Sequence, residues 1–383
     1  MLRIAPQDEQ QEVRGANRGV DVESHSASMS RFYPLEIVEK RRETPESVSI
    51  AFAVPDALRK KFAFEPGQYL TLRATIEGEE CRRSYSICSG LDEGELRIAV
   101  KRVEGGRFSR FANDALRAGA RIEVAPPKGR FTAEIGASRH YAFFAAGSGI
   151  TPVISIVRSA IAANEEARAT VIYGNRTSAS IMFREALEEL KDRHLGRLSL
   201  FHVLSRESQE IDLLNGRIDR ARIALLARTI VKPADVDAYF LCGPFGMIEE
   251  GRSALIAAGV EPTRIKAELF TADGAPQPAR PPAPARAAHD GVVRVECIVD
   301  GGAHDIEVEP GGLIIEAAHA QGFEIPHSCR GGMCCTCRCK VLEGEVRMDV
   351  NYSLEPWEIE AGYVLACQSR PLTAKVRLDF DAV

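Results

Sequence analysis

Short apolar runs broken by turn residues dominate the chain from residue 32 to residue 134. SVSIAFAV, QYLTLRATI, RRSYSIC, ELRIAV and RIEVAPP each read as a strand. That many short strands with Gly/Pro punctuation predict a small antiparallel β-barrel. From 135 to 272 the pattern changes to strand–helix alternation. YAFFAA precedes a helical stretch, then come TVIYG, a helix around Phe183–Lys191, LSLFHVL, and DAYFLCG before another helix. This alternation predicts a doubly wound α/β domain with a parallel sheet, whose ligands bind at the carboxyl ends of the strands. Residues 292–383 open with VVRVECIVD and HDIEVEP, a hairpin signal, followed by a short amphipathic helix from Leu313 to Gln321. That region predicts a small α+β domain.

Two stretches lack this patterning. Residues 1–31 are polar and aperiodic, the composition of a disordered tail. Residues 273–291, DGAPQPARPPAPARAAHDG, carry 5 of the 20 prolines and read as a semi-rigid linker. A length of 383 residues agrees with several domains. The formal net charge of −5 argues against nucleic-acid binding driven by overall positive charge. The charge is uneven, with 8 basic and 15 acidic residues in 292–383, so the last domain is an acidic module at −7. The longest charge-free apolar run, residues 141–157, is broken by Gly147, Gly149 and Pro152 and is too short for a comfortable membrane span. The N-terminal residues show no secretory h-region, and a soluble cytoplasmic protein is expected. Ten cysteines in that compartment point to metal ligands or buried thiols before disulfides.

Five of those cysteines crowd into HSCRGGMCCTCRCKV, and another lies in YVLACQ. Cys329, Cys334, Cys337 and Cys367 form C-x4-C-x2-C-x29-C, the spacing of a plant-type [2Fe–2S] ferredoxin. The glycines of CRGGM suit a loop that wraps an inorganic cluster and needs φ > 0. A zinc site or a redox thiol pair is the competing reading, but zinc usually draws on paired CxxC knuckles. Cys335 is expected in a small-residue slot of the loop and Cys339 on the following strand, neither as a ligand. Cys81, Cys88 and Cys297 are expected as buried small hydrophobes.

RRSYSICS contains Arg83, Tyr85, Ser86 and Ser89 on a predicted barrel strand. An arginine fork can neutralise a flavin phosphate, a tyrosine ring can stack on isoalloxazine, and a hydroxyl can reach the reactive flavin nitrogen. In AAGSGITPVISI, Gly147 and Gly149 would let a pyrophosphate approach the backbone. Thr151 as N-cap and Pro152 in the first turn would open a helix whose N-terminus attracts an anion. By itself this segment also fits an ordinary glycine-rich turn. CGPFGM follows an apolar strand and supplies Cys242, Gly243, Pro244 and Met247, and AELF supplies Glu268 and Phe270.

Taken together and in this order, these segments resemble the ferredoxin–NADP reductase superfamily fused to a C-terminal ferredoxin. The resemblance implies that Arg83, Tyr85, Ser86 and Ser89, with Lys101, Gly105, Gly106 and Ser109 of AVKRVEGGRFSRF, bind FAD. FMN-binding relatives share RxYS. It implies that Cys242 lies beside the nicotinamide carbon that gives up hydride, that Ser86, Cys242 and Glu268 form the catalytic group, and that Phe270 covers the flavin. It also implies a β-grasp fold for the last domain. Arg176 in YGNRT and Ser205–Arg206 in VLSRE resemble the segments that grip a 2′-phosphate, so NADPH is the expected donor. NYSLEPWEIEAGYVLACQ and YGNRTSASIMFREALEELKDR resemble reductase components of multicomponent di-iron oxygenases of aromatic degradation. The implied activity is electron transfer from NADPH through FAD and [2Fe–2S] to a di-iron oxygenase component. A cluster-bearing redox sensor without turnover, or a reductase serving another oxygenase, is the alternative.

Overall fold

In the computed structural model, which describes residues 32–137, 139–270 and 291–382, each patterned region builds its own sheet. The expected tail at 1–31 and nearly all of the expected linker lie outside the described residues. The first sheet holds β1 (Tyr33–Thr44), β2 (Ser47–Ala53), β3 (Tyr69–Ile76), β4 (Glu79–Ser86), β5 (Leu96–Lys101) and β6 (Arg121–Val124), in the order β4-β3-β6-β1-β2-β5. All its pairings are antiparallel, and a bridge from Ile87 to Ile98 joins the end of β4 to β5 and closes the barrel. Leu35, Ile37, Val48, Ile50, Leu70, Leu72, Ile98 and Val100 fill its interior. Helix α1 (Arg107–Asp114) covers one end with Phe108 and Ala112. Strand β1 is not obvious in the sequence because its second half, EKRRET, is charged; Leu35 and Ile37 are buried while Glu36 and Val38 face solvent. That period-two alternation is the signature of a strand with one wet face.

The second sheet is parallel and ordered β11-β10-β7-β8-β9. It comprises β7 (His140–Ala146), β8 (Arg168–Asn175), β9 (Leu198–Leu204), β10 (Ala238–Gly243) and β11 (Ile265–Leu269). Beyond His140, strand β7 is apolar because both faces are covered. Tyr141, Phe143 and Ala145 pack toward α2 (Ile150–Ala163) and α3 (Arg184–Arg193). Ala142 and Phe144 pack toward α4 (Arg220–Thr229) and α5 (Phe245–Ala257).

The third domain has β12 (Val293–Val299), β13 (Gly302–Val308), β14 (Arg338–Glu343), β15 (Val346–Met348), β16 (Tyr363–Leu365), β17 (Ser369–Pro371) and β18 (Lys375–Asp379). Its main sheet runs β13-β12-β18-β14-β16, with β12 and β18 parallel, and β15 pairs with β17 beside it. Helix α6 (Ile314–Ala320) buries Ile314, Ile315 and Ala318 in that core, and α7 (Pro356–Glu360) is a single turn. Cys81 and Cys297 are buried in their domain cores, and Cys88, at the end of the barrel, is buried in the core of the α/β domain. Among the described residues no helix is long and apolar enough to cross a membrane.

Candidate functional site

Strand ends bring the N-terminal motifs together. The parallel register of β10 and β11 sets Cys242 opposite Glu268, and Ser86 at the end of β4 donates its hydroxyl to Glu268 Oε2 at 3.4 Å. Gly149 lies directly against this pair, since a Cβ there would sit 2.2 Å from the Cys242 carbonyl oxygen. The backbone crossing therefore requires glycine. Phe270 follows β11, donates its N–H to the Gly243 carbonyl at 3.0 Å, and packs half-buried against the core. Burial pushes the Glu268 carboxyl up to about 8, with the Ser86 hydroxyl as a partial offset. Burial, with Glu268 nearby, raises the Cys242 thiol well above its usual value, so it remains protonated.

Around this group the cations gather at the carboxyl edge of the parallel sheet. Gly147 adopts φ +55°, its carbonyl accepts from the Tyr173 hydroxyl at 2.9 Å, and the Lys101 ammonium lies just beyond it. Burial lowers the Lys101 ammonium from its ordinary value, and Arg176 pushes it the same way. Arg176 and Arg206 occupy adjacent exposed loops after β8 and β9, linked by Arg206 N–H to the Arg176 carbonyl at 2.8 Å. The Ser205 hydroxyl donates to the Asn175 carbonyl at 3.3 Å. Glu207 is occupied by the Ser178 N–H and hydroxyl. Pro244 caps α5, and Met247 in its first turn is nearly buried.

The strand period places Arg83 and Tyr85 on one face of β4, with Ser84 and Ser86 on the other. Tyr85 is half-buried, its ring 5.7 Å from Phe108, and Arg83 donates to the neighbouring Arg82 carbonyl. Gly105, at φ +74°, and Gly106, the N-cap of α1, make the turn beside them.

In the third domain the four thiols of the spaced motif come together as two pairs. Cys329 lies in hydrogen-bonding contact with Cys334, and Cys337 with Cys367. Cys334 and Cys337 are also close enough to perturb each other's ionisation. The Gly331 N–H donates to Cys329 Sγ at 3.3 Å and the Cys329 N–H to Cys334 Sγ at 3.4 Å. Such N–H···S bonds favour thiolate, holding Cys329 below its usual range after the larger contribution of Cys334. Among the described residues no three metal-binding side chains gather around a single-ion site. Four thiols, here in two pairs with donating amides, are the donor set a [2Fe–2S] cluster would draw on. Arg330, Gly332 and Cys335 adopt φ of +51°, +77° and +53°, so the loop takes left-handed conformations at two residues other than glycine.

Residues 34–133 match the oxidoreductase FAD-binding domain family, 143–252 the oxidoreductase NAD-binding domain family, and 297–372 the 2Fe–2S iron–sulfur cluster binding domain family. Over 357 residues the chain is 43% identical to a subunit of 1,2-phenylacetyl-CoA epoxidase from Escherichia coli K12, covering 92% of this chain and 99% of that protein. It is 34% identical to the ferredoxin reductase component of 3-ketosteroid-9-alpha-monooxygenase from Rhodococcus rhodochrous, covering 92% and 97%. The chain belongs to the flavin and iron–sulfur reductases of oxygenase systems, within the ferredoxin–NADP reductase superfamily. Phthalate dioxygenase reductase shares the fold of this reductase over 91% of this chain and 98% of that one, with a TM-score of 0.54 at 24% identity.

Three expectations for the reductase need correction. Thr151 is not an N-cap: α2 begins at Ile150 after a 3-10 turn over Gly147–Gly149, Gly149 takes the cap position, and the Thr151 hydroxyl donates back to the Ser148 carbonyl at 3.0 Å. Pro152 does lie in the first helical turn. Ser89 is fully buried, with its hydroxyl accepting from Arg97 N–H and its carbonyl from the Ser155 hydroxyl, so it ties β5 to α2 from within the fold. Ser109 is buried too, its hydroxyl accepting from Val103 N–H and donating to the Gly106 carbonyl, which shapes the turn from within. Cys339 is buried on β14. Cys335 points its thiol at the Ser353 carbonyl, 3.6 Å away, and lies 4.0 Å from Arg130.

Cys335→Gly is expected to raise thermal stability modestly, by about 1 kcal/mol, because a left-handed L-residue is strained there. Calorimetry of the intact protein checks this, and a loss of stability would show that the thiol contact outweighs the strain.

Tyr69 escapes the sequence motifs altogether. It sits on β3 in register with Ser86, and its hydroxyl donates to the carbonyl of Cys334 at 3.0 Å, with Thr336 Oγ1 also at 3.0 Å. No local pattern links residues 265 positions apart.

Proposed function

We propose that this reductase draws hydride from NADPH and delivers single electrons to the di-iron oxygenase component of a phenylacetyl-CoA epoxidase, in cytoplasmic phenylacetate degradation. The observation that carries the reading is the joining of two sites on one barrel. Ser86 reaches the Cys242–Glu268 pair, while Tyr69, paired with it across the ladder, bonds the peptide of Cys334. The identity to the Escherichia coli protein over almost its full length supports the choice of oxygenase.

Bound FAD supplies a two-electron acceptor able to release electrons singly, and the [2Fe–2S] centre supplies a one-electron carrier. For the flavin, the Arg83 guanidinium would hold a phosphate, the Tyr85 and Phe270 rings would flank the isoalloxazine, and the Gly105–Gly106 turn would admit a second phosphate oxygen. Cys329, Cys334, Cys337 and Cys367 would hold the cluster. For NADPH, the Gly147 turn would admit the pyrophosphate, while Lys101, Arg176 and Arg206 would answer its phosphates; the side of Gly149 without a Cβ is taken up by its packing against the Cys242 carbonyl. The neutral Cys242 thiol, wholly buried against the Gly149 backbone, would leave the packing beneath the nicotinamide uncharged. Glu268, protonated at neutral pH, would keep a proton within reach of Ser86 Oγ for delivery to the bound flavin.

The test is to mix the protein with the oxygenase component of a phenylacetyl-CoA epoxidase and follow NADPH oxidation with and without phenylacetyl-CoA. Oxidation that depends on both supports the reading. Coupling only to a different oxygenase would assign the protein elsewhere.

Arg206→Ala is expected to raise the NADPH KM by about 10- to 100-fold and leave the NADH KM nearly unchanged, because a charge-assisted bond to the 2′-phosphate is worth roughly 1.5–3 kcal/mol. Steady-state kinetics with both nucleotides check this, and equal changes for the two would remove Arg206 from that role.

A further inference from the structure

One face of the β3–β4 ribbon is made of hydroxyls, and it meets the cysteine loop. Tyr69 lies opposite Ser86 and Thr71 opposite Ser84, so these four side chains share that face. The other face carries Leu70, Leu72, Tyr85 and Arg83. Along the hydroxyl face Ser86 reaches Glu268 at 3.4 Å, Ser84 donates to the Ser328 hydroxyl at 3.0 Å, and Tyr69 bonds the Cys334 carbonyl at 3.0 Å. Ser328 immediately precedes Cys329, so the last two contacts fall on the loop that carries the first two thiols of the motif.

Tyr69 is held firmly in this position. Its side chain is buried, and its backbone exchanges two hydrogen bonds with Lys128, at 2.7 and 3.0 Å. At Gly129 a Cβ would stand only 3.0 Å from the Tyr69 ring, so the ring has no slack on that side. Counting protons fixes the directions around its hydroxyl. The Cys334 carbonyl can only accept, so the single Tyr69 proton goes there. Thr336 Oγ1, also at 3.0 Å, then donates to Tyr69 Oη. The Thr336 hydroxyl has one proton too, and the Cys334 sulfur is its other acceptor within reach. While Tyr69 takes that proton, the sulfur goes without it.

We propose that Tyr69 is the positioning residue for electron entry into the cluster: it pins the Cys334 peptide to the ribbon that carries Arg83, Tyr85 and Ser86, and it keeps the Thr336 hydroxyl off the Cys334 sulfur. The first action fixes the gap between the flavin-binding residues and one ligand. The second withholds a hydrogen bond that would favour the more negative, reduced cluster, since bonds to the sulfurs help set its potential. The step itself moves one electron from reduced flavin to oxidised cluster, with NADPH as the source. The inference rests on the reading of this chain as passing electrons from flavin to cluster.

Tyr69→Phe in the full, loaded chain keeps the ring and removes the hydroxyl. After rapid mixing with NADPH, flavin should bleach at the wild-type rate and cluster reduction should slow by about tenfold, the scale of one lost hydrogen bond. A redox titration read from the electron paramagnetic resonance of the reduced cluster should give a higher potential than wild type. A higher potential alone would speed the transfer, so slowing alongside it marks lost position. Thr336→Val should leave both readouts near wild type, because Tyr69 keeps its bond to the Cys334 carbonyl. Tyr69→Phe combined with Thr336→Val should return the potential towards wild type while the transfer stays slow. Cluster reduction in Tyr69→Phe at or above the wild-type rate would overturn the positioning role. An unchanged potential in that variant, or one raised equally with and without the Thr336 hydroxyl, would overturn the proton assignment. A wild-type chain whose flavin bleaches while its cluster stays oxidised would sink the electron-transfer reading itself.

Discussion

Replacing any one of Cys329, Cys334, Cys337 or Cys367 with serine is expected to abolish the visible iron–sulfur absorption and the oxygenase-coupled reaction together. The flavin spectrum and NADPH-dependent reduction of ferricyanide should survive. The effect is all-or-none because a serine hydroxyl does not ionise near neutral pH as a ligating thiol must. The four thiols lie in two pairs, so no remaining cysteine would stand where a lost one stood. Cys335 directs its sulfur to the Ser353 carbonyl and Cys339 is buried on its strand beside the Val364 carbonyl. Cys335→Ser and Cys339→Ser should therefore keep the cluster. Loss of the cluster in Cys335→Ser, with retention in any of the four, would reassign the ligands.

Glu268→Gln should lower the rate of flavin reduction or reoxidation by about 10²-fold or more, the usual scale for losing a positioned proton donor. The pH profile separates this role from simple packing. With its carboxyl pushed up to about 8, Glu268 is protonated and competent below that pH and ionised above it. Wild-type kcat should fall as pH rises through about 8, and the glutamine variant should lack that limb. Stability should also fall as pH rises. In the unfolded chain the carboxyl ionises near its ordinary value, so the folded state is progressively disfavoured between the unfolded value and about 8. Glu268→Gln should accordingly melt higher than wild type at pH 8. Equal melting temperatures and parallel pH profiles would show that the carboxyl neither holds nor moves the proton.

Much of this could be read along the chain because chemistry and local pattern coincide there. The apolar β7 followed by Gly147 and Gly149, the C-x4-C-x2-C run, and the order of RxYS before CGPFGM each combine an element with its reactive residues. What escaped the sequence was direction. Ser89 and Ser109 lie in the expected segments, yet both spend their hydroxyls inside the fold, because backbone N–H groups at turns demand partners. Thr151 misled for a related reason, since the 3-10 turn at Gly147–Gly149 moves the cap two residues earlier. Contacts between domains were out of reach altogether. Tyr69 with Cys334, Arg130 with Glu358 and Arg252 with Glu355 join residues separated by more than a hundred positions, and each looks like an ordinary strand or surface residue in its own segment.

Electrons are expected to pass in a fixed order from NADPH to flavin to cluster to oxygenase, and anaerobic rapid mixing follows each transfer. The protein loaded with FAD and cluster is mixed with NADPH, then with the oxygenase component, while flavin and cluster absorbance are followed separately. Flavin is expected to bleach first and the cluster second, and added oxygenase should reoxidise the cluster before the flavin. Reduction of the oxygenase at the intact rate by the Cys329→Ser protein would contradict that order.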